Sequence, residues 1–147
     1  MYQRILVPTD GSALSKKAIK SAVELAASLG AEVIALNVVP RYPQSYFEGS
    51  ISVNPAEVAR VEKQWLEQGQ AIADEVGKAA AKAGVKARAI TVKSDLVAEA
   101  ILGAVRKNKC DLVVMASHGR KGIKRLLLGS ETQHVLTHGN IPVLVLR

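Results

Sequence analysis

Between Met115 and Ser130 the chain places three glycines (Gly119, Gly122 and Gly129) and four basic residues (Arg120, Lys121, Lys124 and Arg125) in one short stretch. Glycines let backbone N–H groups approach an anion with no Cβ in the way, and the basic side chains supply compensating charge. The stretch follows an apolar run, Asp111–Met115, that reads as a buried strand. It ends at Ser130-Glu131-Thr132-Gln133, which has the form of a capping box opening a helix. Strand, glycine-rich loop and helix N-terminus together form a layout suited to holding phosphate.

Other reactive residue types carry less. His118 stands at the strand exit without a carboxylate or second ligand near it in sequence, so no catalytic role is assigned to it. His134 and His138 lie one helical turn apart and can face the same way as metal ligands. Glu131 is the only acidic residue near them in sequence and no cysteine is close, so no zinc site is predicted. The single cysteine, Cys110, cannot form an internal disulfide and reads as a small residue at the edge of the core, not a nucleophile. Three common signatures are missing. One glycine, Gly11, follows the first strand, so there is no G-x-G-x-x-G turn; G-x-x-x-x-G-K-[ST] and G-x-S-x-G do not occur either. Most enzyme classes that use alternating strands and helices are thereby removed.

The elements that must position the glycine stretch follow from periodicity. Gln3–Pro8 is a short apolar strand, and Thr9-Asp10-Gly11-Ser12 is a turn in which Asp10 or Ser12 caps the next helix. Apolar residues then recur at helical spacing from Ala18 to Leu29, and Gly30 closes the helix. Glu32–Val39 is a second strand. Residues 40–54 form a loop broken by Pro40, Pro43 and Gly49, and Asn54-Pro55 opens a long helix that runs to Gly84. Gly69 and Gly77 lie inside that helix and are predicted to weaken it by about 1 kcal/mol each. Lys86–Val92 is a third strand; Ser94 or Asp95 caps a third helix; a fourth helix runs from Ser130 to His138; and Ile141–Leu146 closes the chain as a fifth strand. This alternation predicts one domain over residues 1–147, of α/β class: a doubly wound, mostly parallel five-stranded sheet with helices on both faces. In such sheets ligands bind beyond the C-terminal ends of the strands, where the winding reverses. With strand order 3-2-1-4-5, the reversal sets Pro8-Thr9-Asp10 against the glycine-rich loop.

Bulk properties bound the rest. At 147 residues with 48% hydrophobic content the chain can bury a core. No apolar run reaches the ~18 residues of a membrane span, and the first residues carry no signal-peptide pattern, so a cytoplasmic protein is expected. A net charge of +7 favours anionic partners, yet one Phe, one Trp and three Tyr are too few for a nucleic-acid stacking platform. The last strand is apolar on both faces and falls at a sheet edge. Such an edge must be paired or covered, and pairing with the same strand of a second copy predicts a homodimer through residues 141–146.

The chain resembles the universal stress protein family over nearly its whole length. The resemblance rests on Ile5-Leu6-Val7-Pro8-Thr9-Asp10-Gly11-Ser12, Asn37-Val38-Val39, Ser117-His118-Gly119 through Leu128-Gly129-Ser130, and Pro142-Val143-Leu144-Val145. In the nucleotide-binding branch the loop reads glycine, two residues, glycine, nine residues, glycine, then Ser or Thr. Gly119, nine residues and Gly129-Ser130 fit; Ala116 stands where the first glycine would be. Alanine suits a strand-like backbone there and fails only if φ must be positive.

The resemblance implies a Rossmann-like fold of the adenine nucleotide alpha hydrolase type and a dimeric ATP-binding module of the stress response. Any Mg2+ would be held mainly by the nucleotide's own oxygens. It further implies that Asp10 contacts the ribose or adenine, with Pro8 and Thr9 lining the pocket, and that Val38 offers backbone groups to the adenine edge. Met115 and Ala116 would lead into the loop and Gly119 would border ribose and phosphates. Gly129, Ser130 and Glu131 or Thr132 would meet the phosphate chain. Two alternatives stand beside this reading: a dimeric interaction protein whose cleft is vestigial, and a slow ATPase or phosphotransferase. Several of these residues also have a purely structural role open to them. Asp10 and Ser130 can serve as helix caps, and the four basic residues as a solvated face.

Overall fold

Strand and helix alternate along the chain as β1 (Arg4–Pro8), α1 (Ala13–Leu29), β2 (Glu32–Val39), α2 (Pro55–Lys82), β3 (Ala87–Lys93), α3 (Val97–Asn108), β4 (Leu112–Ala116), α4 (Ser130–His138) and β5 (Val143–Leu146). This is a computed structural model that describes residues 1–43, 54–119 and 128–147. The five strands form one sheet in the order β3-β2-β1-β4-β5, and every pairing is parallel, where the sequence predicted a mostly parallel sheet.

Successive side chains of a strand point to opposite faces, and here both faces are covered, which is why the strands are apolar throughout. Ile5, Val7, Val33 and Ala35 pack against Ala18 and Ala22 of α1 and Ala73 and Val76 of α2. Leu6, Ile34, Leu36 and Val113 pack on the other face against Ile101 and Leu102 of α3 and Val135 of α4. Fully burying an Ile or Leu is worth about 1.5–3 kcal/mol relative to leaving it exposed, so these two clusters hold the sheet between its helix layers.

Helix ends follow the sequence in part. Ser12 caps α1, its side chain accepting from Ser15 N at 3.2 Å, and Gly30 closes it in the left-handed conformation at φ 67. Asn54 caps α2, with Pro55 as the first helical residue. The expected caps of α3 are otherwise engaged. Ser94 Oγ accepts from Leu96 N, Asp95 Oδ1 accepts from Arg41 N, and Leu96 occupies the cap position with no side-chain bond. The α3 terminus takes its acceptor from another helix instead: Glu131 Oε2 of α4 accepts from Ala98 N at 3.0 Å. The Ser130 capping box is likewise corrected. Gly129 is the cap residue of α4 and Ser130 the first helical one, because Gln133 N already bonds Gly129 O at 3.0 Å.

Two further differences come from packing. A Cβ on Gly69 would lie 2.5 Å from Asn37 Oδ1 and 2.6 Å from Val39 Cγ2, so this glycine lets α2 approach β2 closely; Gly77 has open space beside it. The fifth strand is shorter than predicted. Pro142 has no N–H to add to a ladder, although its carbonyl accepts from Val113 N, and β5 begins at Val143. This strand forms one edge of the sheet, with Leu144 42% exposed. Among the described residues no helix is long and apolar enough to cross a membrane.

Candidate functional site

The sheet itself makes the cleft. β1 stays in register with β2 as far as Pro8↔Leu36, whereas its pairing with β4 covers only Ile5↔Leu112 and Leu6↔Val113. Beyond Leu6 and Val113 the two central strands part, and the segments after them, starting at Thr9 and Ser117, enter the gap.

The β1 exit is held by short polar contacts. Thr9 is 5% exposed; its N donates to Leu36 O, its Oγ1 lies 3.1 Å from Ser15 Oγ, and Gly11 N donates to that same Oγ1 at 3.2 Å. Thr9 therefore fixes the turn, and its hydroxyl is committed to the protein. Asp10 does not cap α1; that task falls to Ser12. Asp10 Oδ1 instead accepts from Ser12 N at 2.9 Å, a turn closed by its own side chain, while Oδ2 faces Gly119. A Cβ on Gly119 would stand 2.7 Å from that oxygen. Residues more than a hundred positions apart in sequence are thus in contact across the gap.

The β4 exit is equally tight. Ser117, 3% exposed, donates its N to Leu146 O at 2.7 Å and accepts at its carbonyl from Gly129 N at 2.6 Å. A Cβ on Gly129 would meet both Ser117 O and His118 Cα at 3.1 Å. Both glycines permit close approach and neither has positive φ; Gly129 has φ −69, which any residue adopts. Ala116 is the last residue of β4, pairs with Leu146, and offers its carbonyl to Thr132 Oγ1 at 2.9 Å. The only non-glycine residue with positive φ among those described is Lys109, so alanine at 116 costs no backbone strain.

Each predicted site residue can now be placed. Pro8, Thr9, Asp10, Ala116, Gly119, Gly129 and Ser130 surround the gap. Met115 is 5% exposed, and its side chain belongs to the core under α3 and α4; Val38 packs at the margin of the same cluster. Thr132 is 1% exposed and spends its hydroxyl on Ala116 O; Glu131 spends its carboxylate on Ala98 N. The N–H groups of Ser130, Glu131 and Thr132 precede the first intrahelical bond at Gln133. Gly122, Arg120, Lys121, Lys124 and Arg125 lie outside the described residues, as does most of the loop after β2.

The remaining reactive groups stand elsewhere. Cys110 precedes β4 at the opposite end of the sheet, and burial, then the nearby Asp111 carboxylate, push its thiol up to about 11. His134 Nε2 lies 2.9 Å from Glu99 Oε1, a carboxylate the fold brings across from α3, and the His134 and His138 rings stack at 4.1 Å. Among the described residues no cluster of three or more His, Cys, Asp or Glu is arranged to hold a metal. Sequence reasoning assigned no role to Asn37 or Ser117. Asn37 is 6% exposed, and its Nδ2 donates to Thr9 O at 2.9 Å. A lone amide inside an otherwise apolar strand was the signal for it.

Comparison with known proteins agrees with this geometry. A family model described as the universal stress protein family matches residues 1–147. Universal stress protein MJ0531 of Methanocaldococcus jannaschii is 35% identical over 147 residues, covering 100% of this chain and 83% of the relative. The structure of MJ0577 is 29% identical and superposes with a TM-score of 0.83, covering 99% of this chain and 96% of the other. A crystal structure of a universal stress protein in complex with cAMP is 27% identical, with a TM-score of 0.68, covering 99% and 97% of the two chains. A strand order, a split between β1 and β4, and a sequence match that all run the length of the chain lead to one conclusion: the chain belongs to the universal stress protein family.

Proposed function

We propose that the protein binds an adenine nucleotide, ATP in the first instance, in the cleft between the ends of β1 and β4, and acts as a binding or sensing module in the stress response. The observation that carries this reading is the contact between Asp10 and Gly119 across the gap. The cradle there is so close that a side chain on Gly119 or Gly129 would fill it. Three N–H groups at the head of α4 suit the phosphates, and Asp10 suits a ribose hydroxyl. Mg2+ would arrive with the nucleotide and be held mainly by its phosphate oxygens. The related structure that carries cAMP supports a site for adenine nucleotides.

The vestigial-cleft alternative drew on Ala116; that residue's place in the paired strand, without positive φ, supports the nucleotide reading over it. Among the described residues, the carboxylate at the gap, Asp10, is held by Ser12 N and suits a ribose contact, so the reading adopted is binding. A cytoplasmic homodimer paired through β5 completes the proposal. Its support is the open, apolar edge strand with Leu144 at the surface.

Equilibrium dialysis with labelled ATP tests the cleft. Wild type is expected to bind, Asp10→Ala to bind more weakly by roughly tenfold, in line with the loss of one or two charge-assisted hydrogen bonds, and Gly119→Val not to bind. Absence of binding at millimolar ATP would overturn the assignment, and so would variants that bind like wild type. Sedimentation at micromolar concentration reads the dimer.

A further inference from the structure

Backbone groups of a β2 residue face β1 or β3 in alternation, and the bonds fix which. Glu32 N donates to Gln3 O and Leu36 O accepts from Thr9 N, so even-numbered residues face β1. Val33 N donates to Lys86 O and Val39 O accepts from Ser94 N, so odd-numbered residues face β3. Val38 is even-numbered; its N–H and C=O are therefore aimed at the β1 side, past Pro8, the last residue in register.

Continuation of the ladder by one rung would join Val38 N to Thr9 O. The main-chain pairing stops short of that bond. The Thr9 carbonyl is engaged instead by the Asn37 side chain, through Nδ2 at 2.9 Å. Asn37 is nearly fully buried, and α2 makes room for it: its Oδ1 occupies the space that a side chain at Gly69 would take.

We propose that Asn37 is a positioning residue for the base pocket, ending the β1–β2 ladder one rung early and so leaving the Val38 N–H and C=O open to the edge of an adenine ring. This rests on the nucleotide-binding reading. An adenine edge offers a ring-nitrogen acceptor beside an exocyclic amine donor, which one residue's N–H and C=O complement. Guanine presents the opposite order, an oxygen acceptor beside a ring N–H, and is mismatched. Asn37 thus sets base selectivity without touching the base.

Two readouts separate this inference from the broader one. In ligand-free wild type the Val38 amide should exchange with solvent at least about tenfold faster than that of Leu36, which lies inside the ladder. In Asn37→Leu the Thr9 carbonyl is released to Val38, whose amide should become protected. ATP affinity should fall about tenfold, the value of one hydrogen bond, and the preference for ATP over GTP should shrink, while binding of inorganic triphosphate stays unchanged. Asn37→Asp, nearly isosteric, covers the case in which Asn37→Leu does not fold. It loses the donor when ionised and should show the same fall in ATP affinity and base preference, with inorganic triphosphate binding unchanged. A Val38 amide as slow as Leu36 in wild type would overturn the inference, as would variants with unchanged ATP affinity and base preference. Wild type that binds no adenine nucleotide would defeat the nucleotide reading and the base-pocket role with it, whatever the exchange rates.

Discussion

Gly69 and Gly77 sit in the same helix, eight residues apart, and the same substitution should move stability in opposite directions. Helix propensity alone makes Gly→Ala stabilising by about 0.5–1 kcal/mol at either position, chiefly through the entropy of the unfolded chain. At Gly77 nothing lies within 4 Å of the added Cβ, so the full gain is expected. At Gly69 the added carbon would stand 2.5 Å from Asn37 Oδ1 and 2.6 Å from Val39 Cγ2, with Thr91 Cγ2 at 3.2 Å. Neither near neighbour can swing away, because Asn37 is bonded to Thr9 O and Val39 is 4% exposed in a paired strand. Overpacking of this kind costs about 1–3 kcal/mol, and two blocked neighbours place it in the upper half, which outweighs the propensity gain. The net expectation is a loss of about 1–2 kcal/mol for Gly69→Ala. For a chain of this size 1 kcal/mol moves Tm by about 2–4 °C. Calorimetry should therefore show Gly77→Ala melting up to about 4 °C higher than wild type and Gly69→Ala several degrees lower. Equal upward shifts for the two variants would refute the packing account, and with it the view that Gly69 makes space for Asn37.

Two further predictions rest on single contacts. Glu131→Ala removes the acceptor of Ala98 N at the head of α3, which has no side-chain cap of its own, and should cost about 1–2 kcal/mol by denaturant melting. An unchanged midpoint would show that the bond between the two helices contributes nothing. Cys110, its thiol pushed up to about 11, should remain protonated and slow toward iodoacetamide through pH 9, and accelerate only as pH approaches that value. Alkylation that plateaus near the pH of an ordinary thiol would contradict its burial.

Most of the fold could be read from sequence because it depends on local patterns. Apolar runs of four to eight residues between helical repeats can be satisfied only by strands covered on both faces. The caps at Ser12, Gly30 and Asn54-Pro55 were legible for the same reason, since each bonds within its own turn. The α3 cap was not. Its acceptor is Glu131, more than thirty residues away, and no local signal says that Ser94 and Asp95 will be occupied elsewhere. Gly69 failed in the same way. A glycine inside a helix looks like a weakness until the strand beneath it supplies Asn37 and Val39. In the site, residue types pointed to Asp10, Gly119 and Gly129, while the division of labour among neighbours waited for three dimensions. Thr9 and Thr132 look like hydroxyl ligands in sequence, and both hydroxyls are used to hold the cleft's walls.

That division bears on how the loop after β4 works. The glycines at 119 and 129 are constrained from different sides, one by the Asp10 carboxylate of the facing strand and the other by Ser117 and His118 of its own. Ala116, where the family pattern has glycine, is constrained by neither; it is an ordinary strand residue whose carbonyl receives the Thr132 hydroxyl. The need for glycine therefore follows from close approach and not from φ. A side chain at 119 should require the Asp10 carboxylate to turn away, and one at 129 should require Ser117 and His118 to give by a few tenths of an ångström, whereas alanine at 116 carries no such constraint. A loop built this way fixes its two ends against the protein before any ligand arrives, through Ser117 O to Gly129 N at one end and Asp10 against Gly119 at the other. The entropy of ordering those ends is then met by folding.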